Sequence, residues 1–344
     1  MLLNIPEELT RHADLTKARG ALYGLFIGDA LAMPVHWYYD RQALNRDYGR
    51  VTDFLDPRPE HPDSILWRSN YQAINARGEI LHDQAPYWGR RNVHYHQFLA
   101  AGENTLNLKL ARLLMDSIQA NGAYRARDFR DRYIAFMTTP GNHRDTYIEE
   151  CHRHFFQNYA RGQAPEKCGR EEKHIGGLAG IVPIGVFYRN RTGRAREAAQ
   201  EHLALTHPGR KMETAANLVL DLLLKVLGGT PLRTALAAEI NAQKNPLVGH
   251  PFAKWLDKPD ETVIGRYLST ACYVEHAVPA VIYLALKYHD DPETMLIANT
   301  NLGGDNVGRG AVLGALAGAE HGLEAFPARW ITGLLEVPPR SFLK

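Results

Sequence analysis

Glycine recurs at every fourth position in two stretches of this chain. The first holds Gly20, Gly24 and Gly28; the second holds Gly310, Gly314 and Gly318. In a helix, residues four apart lie on one face, so each triplet is a stripe without Cβ atoms. A glycine inside a helix costs about 0.8–1 kcal/mol relative to alanine. Six of them demand compensation, which a closely approaching helix backbone supplies. The pattern predicts two centrally buried helices, with Asp29 and Asp305 at helix ends and near one another if the helices pack suitably.

Helical periodicity continues elsewhere. "TLNLKLARLLMDSIQ" over 105–119 carries leucine at 106, 108, 110, 113 and 114, one helical face. Helices are also predicted over 17–31, 127–137, 144–159, 194–205, 211–227, 231–240, 263–288, 292–299 and 305–319. Pro279 should kink or split the pattern over 263–288. "KHIGGLAGIVPIGVFYR" reads as a buried helix pair or a bent helix broken near Pro183. No β-alternation persists beyond a few residues, so the expected fold class is all-α. Residues 56–92 differ: Pro57, Pro59, Pro62 and Pro86 make an irregular excursion, a surface insertion or a functional loop. With no Gly/Ser-rich linker or low-complexity tract, residues 1–344 are read as one domain.

Charge excludes some partners. Forty basic and 38 acidic residues leave a net charge of +2, with no footprint for nucleic acid or an anionic membrane. No apolar run reaches the ~18 residues of a membrane span, and the charged N-terminus lacks a secretory h-region. Cys151, Cys168 and Cys272 are widely spaced and odd in number, without a disulfide framework. A reducing, cytoplasmic setting is expected. Sixteen histidines stand out, among them His36, His82, His94, His96, His143, His152, His154 and His174. Histidine serves as metal ligand, general base or hydrogen-bonded core residue.

Several segments, taken in order, resemble the ADP-ribosylglycohydrolase family. "RGALYGLFIGDALAMPV" is similar to its G-x-x-x-G-D-A-x-G-x-P helix and turn, and "GENTLNLKLARLL" stands where the family has [ST]-D-D-T. "HIGGLAGIVPIGVFY" resembles G-N-G-x-x-M-R-x-x-P-I-G, and "LALTHPGRKMETAA" resembles S-x-x-T-H-x-x-x-x-A. "CYVEHAVPAVIYLAL" followed by "NTNLGGDNVG" is similar to G-x-x-x-E-x-x-P-x-A, then N-x-G-G-D-[TS]-D-[TS]. The matches run from Gly20 to Gly318. The resemblance implies a compact, single-domain, all-α fold with a cleft that cleaves ADP-ribose conjugates at the ribose C1″. It also implies two divalent cations, usually Mg²⁺ or Mn²⁺, held by the two aspartate motifs.

This chain departs from both motifs. Gly102, Glu103 and Asn104 stand for [ST]-D-D. Asp305 is kept, Asn306 takes the variable place, and Val307 and Gly308 replace the second aspartate and the hydroxyl. His36 stands where many family members have glutamate. Hard cations favour six or more oxygens, so a two-metal cluster is not expected. At most one weakly held divalent cation, Mg²⁺ or Mn²⁺, would bind at Glu103, Asn104 and Asp305. His94 and His96, sharing a face if extended and joined by His36 and His82, would alternatively suit zinc or iron. Otherwise they bind ligand or form hydrogen-bonded networks.

Two further stretches carry polar groups. A helix from Asp145 would align Asp145, Glu149 and His152 on one stripe, with Arg144 free to pair an anion. "EEKHIGG" places His174 where the resemblance implies a cleft loop. Walker A, G-x-S-x-G, HExxH and Rossmann fingerprints are absent. The resulting expectation is a hydrolase of an ADP-ribose conjugate or related N- or O-glycoside with a remodelled, metal-poor centre. Glu103 and Asp305 would be catalytic, and His36, His94, His96, Asn104, His143, His174 and Asn306 would contact substrate. The alternatives are a catalytically silent ADP-ribose or nucleotide binder on the same fold, or a different reaction in the same cleft. The expected partner is a small-molecule or ADP-ribosylated substrate.

Overall fold

A computed structural model describes residues 7–343. In chain order the helices are α1 (Glu7–Ala32), α2 (Arg41–Tyr48), α3 (Leu106–Asn121), α4 (Ala126–Thr138), α5 (Glu150–Ala160), α6 (Ile181–Phe187), α7 (Thr192–Thr206) and α8 (Arg210–Leu227). There follow α9 (Leu232–Ala242), α10 (Phe252–Trp255), α11 (Asp260–Val263), α12 (Val274–Lys287), α13 (Pro292–Asn301), α14 (Asn306–His321) and α15 (Ala328–Gly333). Among the described residues there is no sheet, only two isolated bridges, His174 with Tyr273 and Ile264 with Leu268. The all-α expectation is met.

The two glycine stripes pack on each other, antiparallel. A Cβ on Gly24 would lie 1.9 Å from the Gly314 carbonyl oxygen, one on Gly28 1.9 Å from that of Gly310, and one on Gly20 2.2 Å from that of Gly318. Backbone touches backbone along three turns, and no side chain fits between. α14 is buried from Asn306 to Ala319. α8, α12 and α13 pack around it, and α6 lies against α1. One continuous apolar core runs from Ala18 to Phe342. Asp29, near the end of α1, and Asp305, preceding α14, lie at the same end of this pair.

Three helical expectations are corrected. Residues 144–149 are not helical: the Thr146 and Tyr147 N–H groups both donate to the Tyr95 carbonyl, and α5 starts only at Glu150. Asp145 therefore does not share a helical stripe with Glu149 and His152. Pro279 lies inside α12 without splitting it. The interruption falls earlier, over 264–273, because residues 272–274 pair with 173–175: Ile175 donates to the Cys272 carbonyl and Val274 to that of Lys173. In the glycine-rich stretch, a 3-10 turn (Ile175–Leu178) precedes α6, and Pro183 sits in the first turn of α6, where no intrahelical N–H bond is lost. The break is at Ala179–Gly180.

Between α2 and α3 the chain forms only short 3-10 turns, at Leu66–Arg68, Ala76–Gly78 and His82–Tyr87. This long irregular segment covers the end of the helix pair where Asp29 and Asp305 lie, and contributes His61, His94 and His96 to the interior.

Candidate active site

The turn before α14 is built by close backbone approach. Gly303 and Gly304 have φ of 65° and 61°, and a Cβ on either would fall 2.1 Å from a carbonyl oxygen, of Tyr38 and Thr270 respectively. Trp37 donates to the Gly304 carbonyl at 2.8 Å, Gly304 donates back to that of Tyr38 at 2.7 Å, and Asp305 donates to that of Thr270 at 2.9 Å. Arg309, fully buried, clamps the same turn. It donates to the Gly303 carbonyl (2.6 Å), the Thr270 carbonyl (3.2 Å) and Asn299 Oδ1 (3.1 Å). Asn306 Nδ2 donates to the carbonyls of Thr300 and Val35, at 2.8 and 3.2 Å. The turn thus delivers Asp305 to a fixed place.

There a buried row of four groups begins. Asp305 Oδ1 accepts the Gly308 N–H at 3.0 Å and faces His36 Nε2 at 3.3 Å. His36 Nδ1 faces His96 Nε2 at 2.7 Å, and His96 Nδ1 bonds Asp145 Oδ1. All four side chains are buried. Three contacts need three hydrogens, and two neutral imidazoles bring two. With both end carboxylates accepting, the facing nitrogens would otherwise meet lone pair to lone pair. The row therefore holds one further proton. Burial pushes His36 down to about 4, against the opposing pull of Asp305. Burial would raise the Asp305 carboxyl, but the His36 ring and Gly308 N–H outweigh it and hold it below the usual range.

The surroundings orient the row. His94 Nε2 lies 3.0 Å from the Pro34 carbonyl, which makes it the donor, so His94 Nδ1 can accept the His96 backbone N–H at 3.0 Å. His61 Nε2 reaches the His36 carbonyl at 3.2 Å, and its ring stacks on Tyr38 with centroids 3.8 Å apart. Trp37, held at φ 60°, stacks on the His36 ring at 4.0 Å.

Of the residues expected to form the site, His36, His96 and Asp305 come together, with His94 behind them. Glu103 and Asn104 are engaged elsewhere. The Glu103 carboxylate binds Lys109 Nζ at 3.0 Å, Arg144 at 2.6 Å and the Ala100 N–H at 3.0 Å. Asn104 Nδ2 donates to Asp29 Oδ1 at 2.7 Å and to the Phe26 carbonyl at 2.8 Å. Thr105 donates to both Asp29 oxygens, from its backbone N–H at 2.9 Å and its hydroxyl at 2.6 Å. Burial nevertheless pushes Asp29 up to about 6. His143 Nε2 reaches the Ile80 carbonyl at 3.2 Å. Val307 belongs to an apolar cluster with Ala32, Met33 and Leu99.

These contacts bear on the cation that the family resemblance implies. Glu103 already faces two cationic side chains, and Asp305 Oδ1 is already engaged by His36 Nε2 and the Gly308 N–H. Glu103, Asn104 and Asp305 therefore do not fit a hard divalent ion as a set.

Beside the row opens a cleft of about 330 Å³, lined by Trp37, Tyr39, Tyr95, Tyr147, Tyr273, Arg68, Arg153, Glu149, His174 and Cys272 among others. Tyr39 and Tyr273 expose 38% of their surface. Trp37 and Tyr95, which line the cleft, also pack on the His36 ring with centroids 4.0 and 6.4 Å away, which puts the row behind this wall. His174, expected at a cleft, lines it. Burial disfavours the His174 charge, but Cys272 and Glu172 (3.0 Å away) raise its pKa to about 11. Burial pushes Glu149 up to about 7; its Oε1 accepts from Asn107 Nδ2 at 2.8 Å. Sequence reasoning missed the place of Asp145, the His61 support, the Arg309 clamp and the Cys272 wall. Arg309, lying four residues after Asp305 in an otherwise small and apolar helix, was the one visible signal.

A model of the ADP-ribosylglycohydrolase family matches residues 10–343 of the chain. An uncharacterized protein of Archaeoglobus fulgidus is 24% identical over 332 residues, covering 95% of this chain and 93% of that protein. A solved structure described as an ADP-ribosylglycohydrolase-related protein complex shares the fold, with a TM-score of 0.61 at 23% identity over 94% of this chain and 93% of that one.

Proposed function

The chain belongs to the ADP-ribosylglycohydrolase family, and on that premise we propose that it hydrolyses the glycosidic bond of an ADP-ribose conjugate or related N- or O-glycoside, with a proton-sharing carboxylate–histidine row in place of a metal pair. The observation that carries this reading is the continuous Asp305–His36–His96–Asp145 contact behind an aromatic cleft. Asp305 is given the part of the base at the reacting carbon. It accepts a proton from the attacking water as the bond to C1″ opens, returns that proton to the leaving oxygen or nitrogen, and faces the oxocarbenium-like transition state. His36 keeps it ionised until then. Tyr39 and Tyr273 offer faces for a base, while Arg68 and Arg153 supply charge for a diphosphate. Glu103 anchors Arg144 and Lys109, Asn104 positions Asp29, and Asn306 sets the turn. The family is hydrolase-type and typically dependent on divalent metal; the row would make this member independent of added Mg²⁺.

The test is release of ADP-ribose from ADP-ribosylated arginine, ADP-ribosylated serine and small ADP-ribose conjugates, with and without Mg²⁺. Turnover without Mg²⁺, lost in Asp305→Asn, supports the reading. No release from any substrate, or full activity in D305N, overturns it. A silent binder is the second reading, favoured by Val307 in its apolar cluster and by the neutralised Glu103. Calorimetric titration showing ADP-ribose binding without turnover would select it.

A further inference from the structure

We propose that Glu149, Cys151 and His207 form a zinc site, separate from both aspartate motifs and sharing Glu149 with the wall of the cleft. Glu149 directly precedes α5, Cys151 lies in its first turn, and His207 ends α7. One ligand-capable atom from each lies within 4.8 Å of the other two. Cys151 is 1% and His207 4% exposed.

The two oxygens of Glu149 and the two ring nitrogens of His207 are each divided in the same way. Glu149 Oε1 accepts from Asn107, and His207 Nδ1 meets the Thr206 hydroxyl at 2.9 Å. Glu149 Oε2 and His207 Nε2 are buried without a partner. Native interiors rarely leave such atoms unmatched. Partners that orient one atom of a side chain and leave the other bare are the usual outer shell of a metal ligand. Glycine makes room on one side. A Cβ on Gly176 would lie 2.8 Å from Glu149 Oε2, and one on Gly177 2.7 Å from the His207 ring.

The donor set names the ion. A thiolate, an imidazole and a carboxylate suit zinc rather than magnesium. One thiolate, one carboxylate and a neutral imidazole cancel the charge of Zn²⁺, as a buried site requires. Zinc bonds of about 2.0–2.3 Å ask the three atoms to draw together slightly. On its His207 side the site borders a cavity of about 40 Å³, lined by Asn107, His152 and His207 among others, where His152 Nε2 is also unpartnered. That space is large enough for a water as the fourth ligand.

The protein purified without chelator is expected to carry one zinc per chain through dialysis. Exchange for cobalt should give sulfur-to-metal charge-transfer absorption in the near ultraviolet and tetrahedral bands in the visible. Cys151→Ser removes the charge-transfer band; Cys168→Ser and Cys272→Ser keep it. Should C151S fail to fold, His207→Gln carries the same reading, with the tetrahedral bands lost. A folded wild-type protein without zinc and without a cobalt–thiolate band overturns the proposal. So does a band that survives C151S, or cobalt bound with no sulfur signal, which would point to the neighbouring Glu150, Glu172 and His174.

Discussion

His36 and His96 meet nitrogen to nitrogen at 2.7 Å, with ring planes 2° apart, and each is closed at its far side by a buried carboxylate. Neither imidazole can be replaced without leaving an acid unmatched. Asp145 has no exposed surface, and its Oδ2 already lacks a partner. His96→Leu removes the bond to its other oxygen. The expected loss is about 3–5 kcal/mol, the range for breaking a buried charge pair, read by urea denaturation. A loss under about 1 kcal/mol would mean that Asp145 is not held as a carboxylate by His96.

Acid should unfold this protein early. Burial pushes His36 and His61 down to about 4 and His94 well below its usual value. A histidine whose folded pKa is depressed takes up its proton more readily when unfolded. Its contribution is complete above pH ~6.5 and is lost as pH falls towards about 4. Each such group changes stability by up to about 1.4 kcal/mol per pH unit. Asp29, raised to about 6, and Glu149, raised to about 7, act in the opposite sense, while His152, His202 and His207, lowered by burial to about 3, 3 and 4, add to the first three. Stability should therefore be several kcal/mol lower at pH 5 than at pH 7. Denaturant midpoints across that range check it, and a flat profile would contradict the buried neutral histidines.

The helix pair was legible because glycine at spacing four has one inexpensive explanation, close backbone contact, and that contact is what α1 and α14 make. The GGD turn was legible for a related reason, since Gly303 and Gly304 occupy left-handed backbone against two carbonyls. The row was only half legible. His36, His96 and Asp305 drew notice as polar residues at motif positions, but Asp145 was assigned to a helix that does not form there. The cause is tertiary: residues 146 and 147 satisfy their N–H groups on Tyr95, 51 residues away from Thr146, and nothing local announces that pairing. Glu103 shows the converse. Its carboxylate looked available in the sequence, yet Lys109, Arg144 and Ala100 had already taken it.

The glycine contact is itself testable. A methyl group at Gly24 would enter the space of the Gly314 carbonyl, and neither backbone can turn aside as a flexible side chain could. Alanine is otherwise the better helix former by about 0.8–1 kcal/mol. Gly24→Ala should therefore reverse the usual sign and cost about 1–3 kcal/mol or more, the range for overpacking a core. Gly193, at the exposed start of α7 with open space around its Cβ position, is the control. Gly193→Ala should be neutral or stabilising in the same thermal melt.

Arg309 should be as sensitive as any residue in the core. Its guanidinium donates to Gly303, Thr270 and Asn299, and burial lowers its pKa to about 10 without removing the charge at neutral pH. Arg309→Met removes all three donors and leaves their acceptors unmatched in the interior. Each such orphan costs about 1–3 kcal/mol, so the variant should lose at least 3 kcal/mol in denaturant titration. Arg309→Lys reaches fewer of the three acceptors and should fall between.

Cys272 offers a reading of the cleft that does not require turnover. Cys151 and Cys168 are buried, whereas Cys272 is partly exposed and lines the cleft beside Tyr273. Burial still raises its thiol pKa, and the protonated His174 ring beside it works in the opposite direction. Iodoacetamide should therefore modify Cys272 first, faster as pH rises, with the other two thiols silent in the folded protein. A ligand seated between Tyr39 and Tyr273 would cover that sulfur. ADP-ribose present at saturation should slow the modification at least about tenfold, which by mass action corresponds to most of the sites being filled. Peptide mapping by mass spectrometry identifies the modified residue. Equal labelling with and without ADP-ribose would place the ligand elsewhere, and prior labelling of Cys151 would contradict the burial of its thiol.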